Sequence, residues 1–194
     1  MKKLFTAIVL CLICIYGFGQ DCMSFKGISF NTNFSEFTKQ LTSKGMTLLR
    51  TQTEPTMIVA TFKGDFAGYS DCEVFVFSTL DKSCIYKVTV FLPTKTTWYE
   101  LKSCYFSMIG SYKNKYGEPT DDYKFFSSPY YDGDGYEMSA VTLEKCHYVA
   151  FWEFNYGTIM LEISKYKQVG IVYEDAKNVE KVMEKKRQTI NDDI

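Results

Sequence analysis

Residues 84–92, CIYKVTVFL, alternate along the chain: Cys84, Tyr86, Val88, Val90 and Leu92 share one face, and Lys87 and Thr89 fall on the other. A run of this kind buries one side only, so it belongs in an antiparallel sheet with its core on one face. Pro93 closes the run, because proline cannot donate to a strand ladder. Two further strand-like runs precede it, 56–63 (TMIVATFK) and 72–78 (CEVFVFS), and three follow, at 146–154 (CHYVAFWEF), 158–164 (TIMLEIS) and 169–173 (VGIVY). Turn-forming stretches separate them: GDFAGYSD, Leu80-Asp81-Lys82-Ser83 and Asn155-Tyr156-Gly157. FKGISF at 25–30 reads as a short opening strand or extended segment.

Helical spacing appears between these runs. Asn33 followed by Glu36 is a start signal, Phe34, Phe37 and Leu41 form a stripe, and Gly45 is a stop, which predicts a helix over 34–44. Trp98, Leu101, Tyr105, Met108, Ile109, Tyr112 and Tyr116 recur at steps of three and four, with Cys104 on the same side. Thr96 or Thr97 caps that helix, and Gly117 and Pro119 end it. Residues 136–144 and 175–190 read as a short and a terminal helix, the latter with Asp175 at its start and Lys185, Lys186 and Arg187 near its end, as the helix dipole prefers.

The order is therefore helix, three strands, helix, small helix, three strands, helix. This predicts an α+β fold of two tandem units, each a helix with a three-stranded antiparallel sheet, over 20–95 and 96–194, the second ending in the C-terminal helix. No low-complexity linker separates them, which implies tight packing; a continuous sheet is one arrangement that would provide it.

Lys2 and Lys3 precede an apolar run, LFTAIVLCLICIY at 4–16, and Gly17 and Gly19 place small residues before Gln20. This is the pattern of a secretory signal peptide over 1–19, cut between Gly19 and Gln20. The run falls short of the roughly 20 apolar residues of a spanning helix. The residues before Cys11, Cys14 and Cys22 are Leu10, Ile13 and Asp21, none of them small, so lipidation is not expected. An exported chain, periplasmic or extracellular, would keep Cys22, Cys72, Cys84, Cys104 and Cys146 in a space that permits disulfides. The number is odd, so at least one thiol is free or pairs between chains.

Reactive machinery is not evident. With 46% hydrophobic residues the chain builds a core, and a pI near 5.9 gives no electrostatic footprint for nucleic acid. His147 is the sole histidine and lies in a strand beside Cys146, so the two side chains point to opposite faces. There is no G-x-S-x-G, phosphate loop or C-x-x-C, and no catalytic residue, metal site or cofactor is expected. The glycines of 63–69 (KGDFAGY) have no following helix and read as a bulged turn. Asp132-Gly133-Asp134-Gly135 reads as a flexible turn rather than a calcium loop, and Asp121-Asp122 and Asp192-Asp193 sit in loop and tail positions. Tyr123, Phe125, Phe126, Tyr130, Tyr131 and Tyr136 cluster in what reads as a long loop. Loop tyrosines give contact area at small entropy cost, so Tyr123, Tyr130, Tyr131 and Tyr136 are the binding candidates, with packing that anchors the loop as the plainer account.

The stretches FKGISF, KGDFAGYSDC, KVTVFLPTKTTWYEL, YKNKYGEP and EKCHYVAFWE…GTIMLEI resemble a group of small exported proteins of Bacteroides-type bacteria without an assigned function. The resemblance implies a fold similar to the tandem unit of the β-lactamase inhibitor protein. It also implies similarity to the small outer-membrane assembly lipoproteins of the SmpA/BamE type, from which this chain departs by lacking a lipid-attachment cysteine. Fold likeness does not carry activity. Matching places in the two halves, and cysteines at both places in the resembled group, make Cys72–Cys146 the first disulfide candidate. Cys84–Cys104 is the second, both pointing to the helix–sheet core. The functional expectation is an exported, non-enzymatic binding protein that recognises a protein partner. The alternative is a small-ligand or glycan binder with an aromatic cleft between the units.

Overall fold

The computed structural model describes residues 22–193; the expected signal segment and its Gly19/Gln20 junction lie outside the described residues. The chain opens with a small hairpin, β1 (Ser24–Phe25) and β2 (Ile28–Ser29). Lys26 and Gly27 both hold positive φ between them, as a type I′ turn requires. Helix α1 (Phe34–Ser43) follows, with the Asn33 side chain accepting from the Glu36 amide. Next comes a four-strand meander: β3 (Thr47–Glu54), β4 (Met57–Phe66), β5 (Tyr69–Ser78) and β6 (Ile85–Phe91). Helix α2 (Trp98–Tyr116) leads into β7 (Asp121–Phe126), short helix α3 (Glu137–Thr142), β8 (Cys146–Phe154), β9 (Gly157–Ile163) and β10 (Val169–Asp175). Helix α4 (Ala176–Asp193) ends the chain.

Eight strands form one antiparallel sheet in the order β3-β4-β5-β6-β10-β9-β8-β7. This corrects the expected pair of helix-plus-three-strand units. Each half supplies four strands, and the last strand of each meander joins the other at the centre, where Val90 pairs with Ile171 and Val88 with Tyr173. The strands missing from the sequence reading are the two edges. All eight residues of β3 are exposed, and in β7 only Phe126 is partly covered. An edge strand needs just one hydrogen-bonded neighbour, so TLLRTQTE and DDYKFF carry no apolar alternation to reveal them.

One face of the sheet carries the core. A representative row crosses it as Ala60, Val76, Val88, Tyr173, Ile159 and Trp152, all with at most 5% of their surface exposed. Helix α2 lays Leu101, Cys104, Tyr105, Met108, Ile109 and Tyr112 onto this face. Its Thr97 capping box satisfies the N-terminus, and Gly117 ends it at φ 86°. The Tyr112 ring packs on Trp152 at 5.6 Å between centroids, and the Trp152 Nε1 donates to the Gly117 carbonyl at 2.9 Å. A bulge at Phe77/Ser78 shifts the start of β6 by one residue. Ile85 therefore enters the core, and Tyr86 turns to the other side, where its hydroxyl donates to the Met57 sulfur at 3.1 Å.

The segment around Met23–Phe30 is tied to the start of α4 through the core. The Met23 amide donates to Asp175 Oδ2 at 2.8 Å, and the buried Asn178 Nδ2 donates to the carbonyls of Ile85 and Phe30 at 2.9 and 3.3 Å. From there α4 turns across the end of the sheet, and Lys185 Nζ reaches Asp81 Oδ2 at 2.6 Å in the turn before β6. Among the described residues no helix is long and apolar enough to cross a membrane.

Candidate binding face of the sheet

Among the described residues, the second face of the sheet has no covering layer. Strand pairing lays out two of its rows. The first runs Lys63, Glu73, Phe91, Gly170, Glu162, Val149, Tyr123, and the second Arg50, Thr61, Phe75, Thr89, Val172, Met160, Phe151, Asp121. A third row carries Val59, Phe77, Lys87, Glu174 and Thr158. The centre is therefore apolar and aromatic. Val59, Phe75, Phe77, Phe91, Val149, Phe151 and Met160 are half-buried, and Phe75 meets Phe91 edge to face at 6.0 Å. Helix α4 walls one end, where Val179, Val182 and Met183 border a groove of about 250 Å³ with Met57, Phe77 and Tyr86. A smaller hollow of about 100 Å³ continues from Lys87 and Glu174 to Phe151, Thr158, Met160 and Val172.

Charge on this face is sparse and mostly paired or wet. Lys87 bridges Glu174 at 3.0 Å, and Lys63 bridges Asp71 at 3.0 Å. Arg50, Glu73, Asp121 and Glu153 stand exposed. Glu162 differs: it is only partly accessible and has no hydrogen bond or ion pair among the described residues. Burial pushes its carboxyl pKa up, and the Lys87 charge only partly opposes that.

The tyrosine candidates do not converge. Tyr123 lies on the open face at the β7 edge, 47% exposed. Tyr130, Tyr131 and Tyr136 lie in the 127–136 loop, with Tyr131 and Tyr136 about two-thirds exposed. That loop is pinned to the start of α2, on the helical side, by Trp98 Nε1 and Lys102 Nζ donating to Asp132 at 3.1 and 2.6 Å. The Lys102 ammonium in turn holds the Asp132 carboxyl pKa below its usual range. Phe126 points into the core against Trp98 and Tyr148, and Phe125 stacks on His147 at 4.6 Å. The sequence signal for the open face lay elsewhere. CEVFVF and CHYVAFWEF are apolar at consecutive positions, a pattern of strands covered on both faces, yet only one face is covered.

The disulfide candidates are likewise not brought together, and all five described cysteines are free. Cys72 on β5 and Cys146 on β8 are separated by four strand spacings, roughly 19 Å at ~4.8 Å each, against the ~7 Å limit of a disulfide. Cys104 lies beside Tyr69 at one end of β5, while Cys84 adjoins Ile85, the partner of Ser78 at the other end. That is roughly 30 Å along the strand at ~3.3 Å per residue. Burial pushes the Cys146 thiol up to about 12.

Other constellations are modest. Ser127 Oγ and His147 Nε2 are 2.7 Å apart, but no acidic group is bonded to the other ring nitrogen among the described residues. No group of three or more His, Cys, Asp or Glu side chains converges among them as a metal site. On the helical side Phe25, Phe66, Met108, Tyr112, Tyr116 and Tyr173 line an aromatic cleft of about 270 Å³, just below the size range of sites that enclose a drug-sized ligand. Compared with protein-family models, with curated proteins and with solved structures, the chain matches none.

Proposed function

We propose that this protein is an exported, non-enzymatic binding protein that recognises a protein partner through the uncovered face of its eight-stranded sheet. One observation carries the reading: Val59, Phe75, Phe77, Phe91, Phe151 and Met160 form a contiguous apolar surface on a sheet whose opposite face already holds the core. A soluble monomer rarely leaves such a patch bare unless it serves an interaction. Half-buried aromatic rings with a polar rim are the composition of interface centres. The groove beside α4 adds relief to the surface. Export is supported by the 1–19 segment and by the resemblance to small exported proteins, and it predicts a mature chain that begins at Gln20.

The test is affinity capture from the envelope fraction and culture medium of the source cells, with three baits. Wild type and Tyr99→Asp, on the exposed outer side of α2, are expected to retain the same partner. Phe75→Asp/Phe151→Asp is expected to lose it while keeping the wild-type circular dichroism spectrum. Equal capture by all three baits, or no partner for any of them, refutes the reading.

A further inference from the structure

Glu162 stands opposite Gly170 in the β9–β10 ladder, and Gly170 stands opposite Phe91 in the β10–β6 ladder. Gly170 has no side chain. A Cβ built there would lie 3.1 Å from Phe91 Cε1 and 3.4 Å from Glu162 Oε1. The ring and the carboxylate therefore close over the buried Gly170 backbone from opposite sides. Val149 flanks the carboxylate on β8, and Met160 lies two residues along on β9. The ammonium that senses it, Lys87, is already bonded to Glu174 at 3.0 Å.

A carboxylate in this position has lost part of its hydration and gained no hydrogen bond among the described residues, an arrangement that costs stability unless a partner completes it. A neutral apolar ligand would deepen the loss. A divalent cation would need several oxygens, and this spot supplies one carboxylate. A guanidinium or ammonium repays it in full: it donates charge-assisted hydrogen bonds to the carboxylate and lies against the Phe91 ring. Gly170 is buried beneath these two side chains, so a planar cation meets the ring and the carboxylate together, above the backbone. We infer that Glu162 is the anchor for a basic side chain of the partner, an arginine in first place, which lies against Phe91. This rests on the open face being the binding surface and adds the chemistry of what it recognises.

The experiment follows backbone amide shifts of the ¹⁵N-labelled protein during titration with Nα-acetyl-arginine amide and with Nα-acetyl-citrulline amide, which has the same shape without the charge. The arginine probe is expected to shift Phe91, Glu162 and Gly170 saturably and to bind roughly tenfold more tightly than the citrulline probe, the scale of one charge-assisted bond. Glu162→Gln should bring that ratio to about one, and Glu118→Gln, exposed after α2 and away from this face, should leave it unchanged. An unchanged ratio in Glu162→Gln, or no saturable shift at these residues, overturns the inference. The two readings fail separately. If Phe75→Asp/Phe151→Asp loses the captured partner and Glu162→Gln binds it as wild type does, the anchor is wrong and the binding face stands. If all variants retain the partner, the binding face falls first.

Discussion

Joining the two meanders through β6 and β10 makes one cooperative body, and a substitution in the first half should weaken the second equally. Val76 tests this. It is fully buried on β5, between Ala60 and Val88 on the core face. Val76→Ala removes two methyl groups, about 1.6 kcal/mol of transfer free energy at ~0.8 each. The cavity left behind raises the cost to about 2–3 kcal/mol. Both tryptophans, Trp98 and Trp152, belong to the second half, and Trp152 lies in the same row four strands away, roughly 19 Å by strand spacing. In urea, with a slope of about 2–3 kcal/mol per molar for a chain of this size, the midpoint should fall by about 1 M. The shift should be the same by tryptophan fluorescence and by far-ultraviolet circular dichroism. If fluorescence keeps the wild-type midpoint while circular dichroism splits into two steps, the halves fold independently and the reasoning fails.

Three other predictions follow from single sites. Glu162→Gln should raise the urea midpoint at neutral pH: the native carboxyl titrates above its ordinary 4.5, so the wild-type penalty is present above the raised native value and vanishes as pH falls below 4.5, where the two proteins should unfold together. Gly157→Ala should lower the midpoint sharply, because its Cβ would fall 2.0 Å from the Glu174 carbonyl oxygen and the β9–β10 ladder would have to shift; equal midpoints would rule out that close approach. Peptide mapping under non-reducing conditions should find neither a Cys72–Cys146 nor a Cys84–Cys104 link, and Cys146 should resist alkylation until the protein unfolds, since burial suppresses its thiolate.

Much of the scaffold was legible because burial writes itself into spacing. The stripe from Leu101 to Tyr112 and the Thr97 and Gly117 caps located α2, and the alternation at Val88, Val90 and Leu92 marked the core side of β6. The edges were illegible for the opposite reason: β3 and β7 hold their place by backbone bonds and bury almost nothing. Missing them turned two four-strand meanders into two three-strand units. Tyr86 was assigned to the wrong face because a bulge changes side-chain parity without changing composition. The open face was hidden behind a sound rule, that apolar residues in strands are core. Phe75 and Phe77 look no different in sequence from Val74 and Val76, and only the layer that is absent above them separates the two sets. The loop tyrosines drew attention by their density, yet Trp98 and Lys102 hold their loop on the helical side through Asp132.

The order in which the strands are made differs from the order in which they pair. β6 ends at Phe91, but its central neighbour β10 begins at Val169. On the ribosome, one long edge of the first meander thus stays bare while the next 77 residues emerge. Asp175 and Asn178, which fasten the opening segment, arrive later still. Closure of such distant contacts is slow, so the nascent chain stays unlocked until β10 and the start of α4 have emerged, and a product truncated before Val169 would carry an unpaired strand ready to stick to its neighbours.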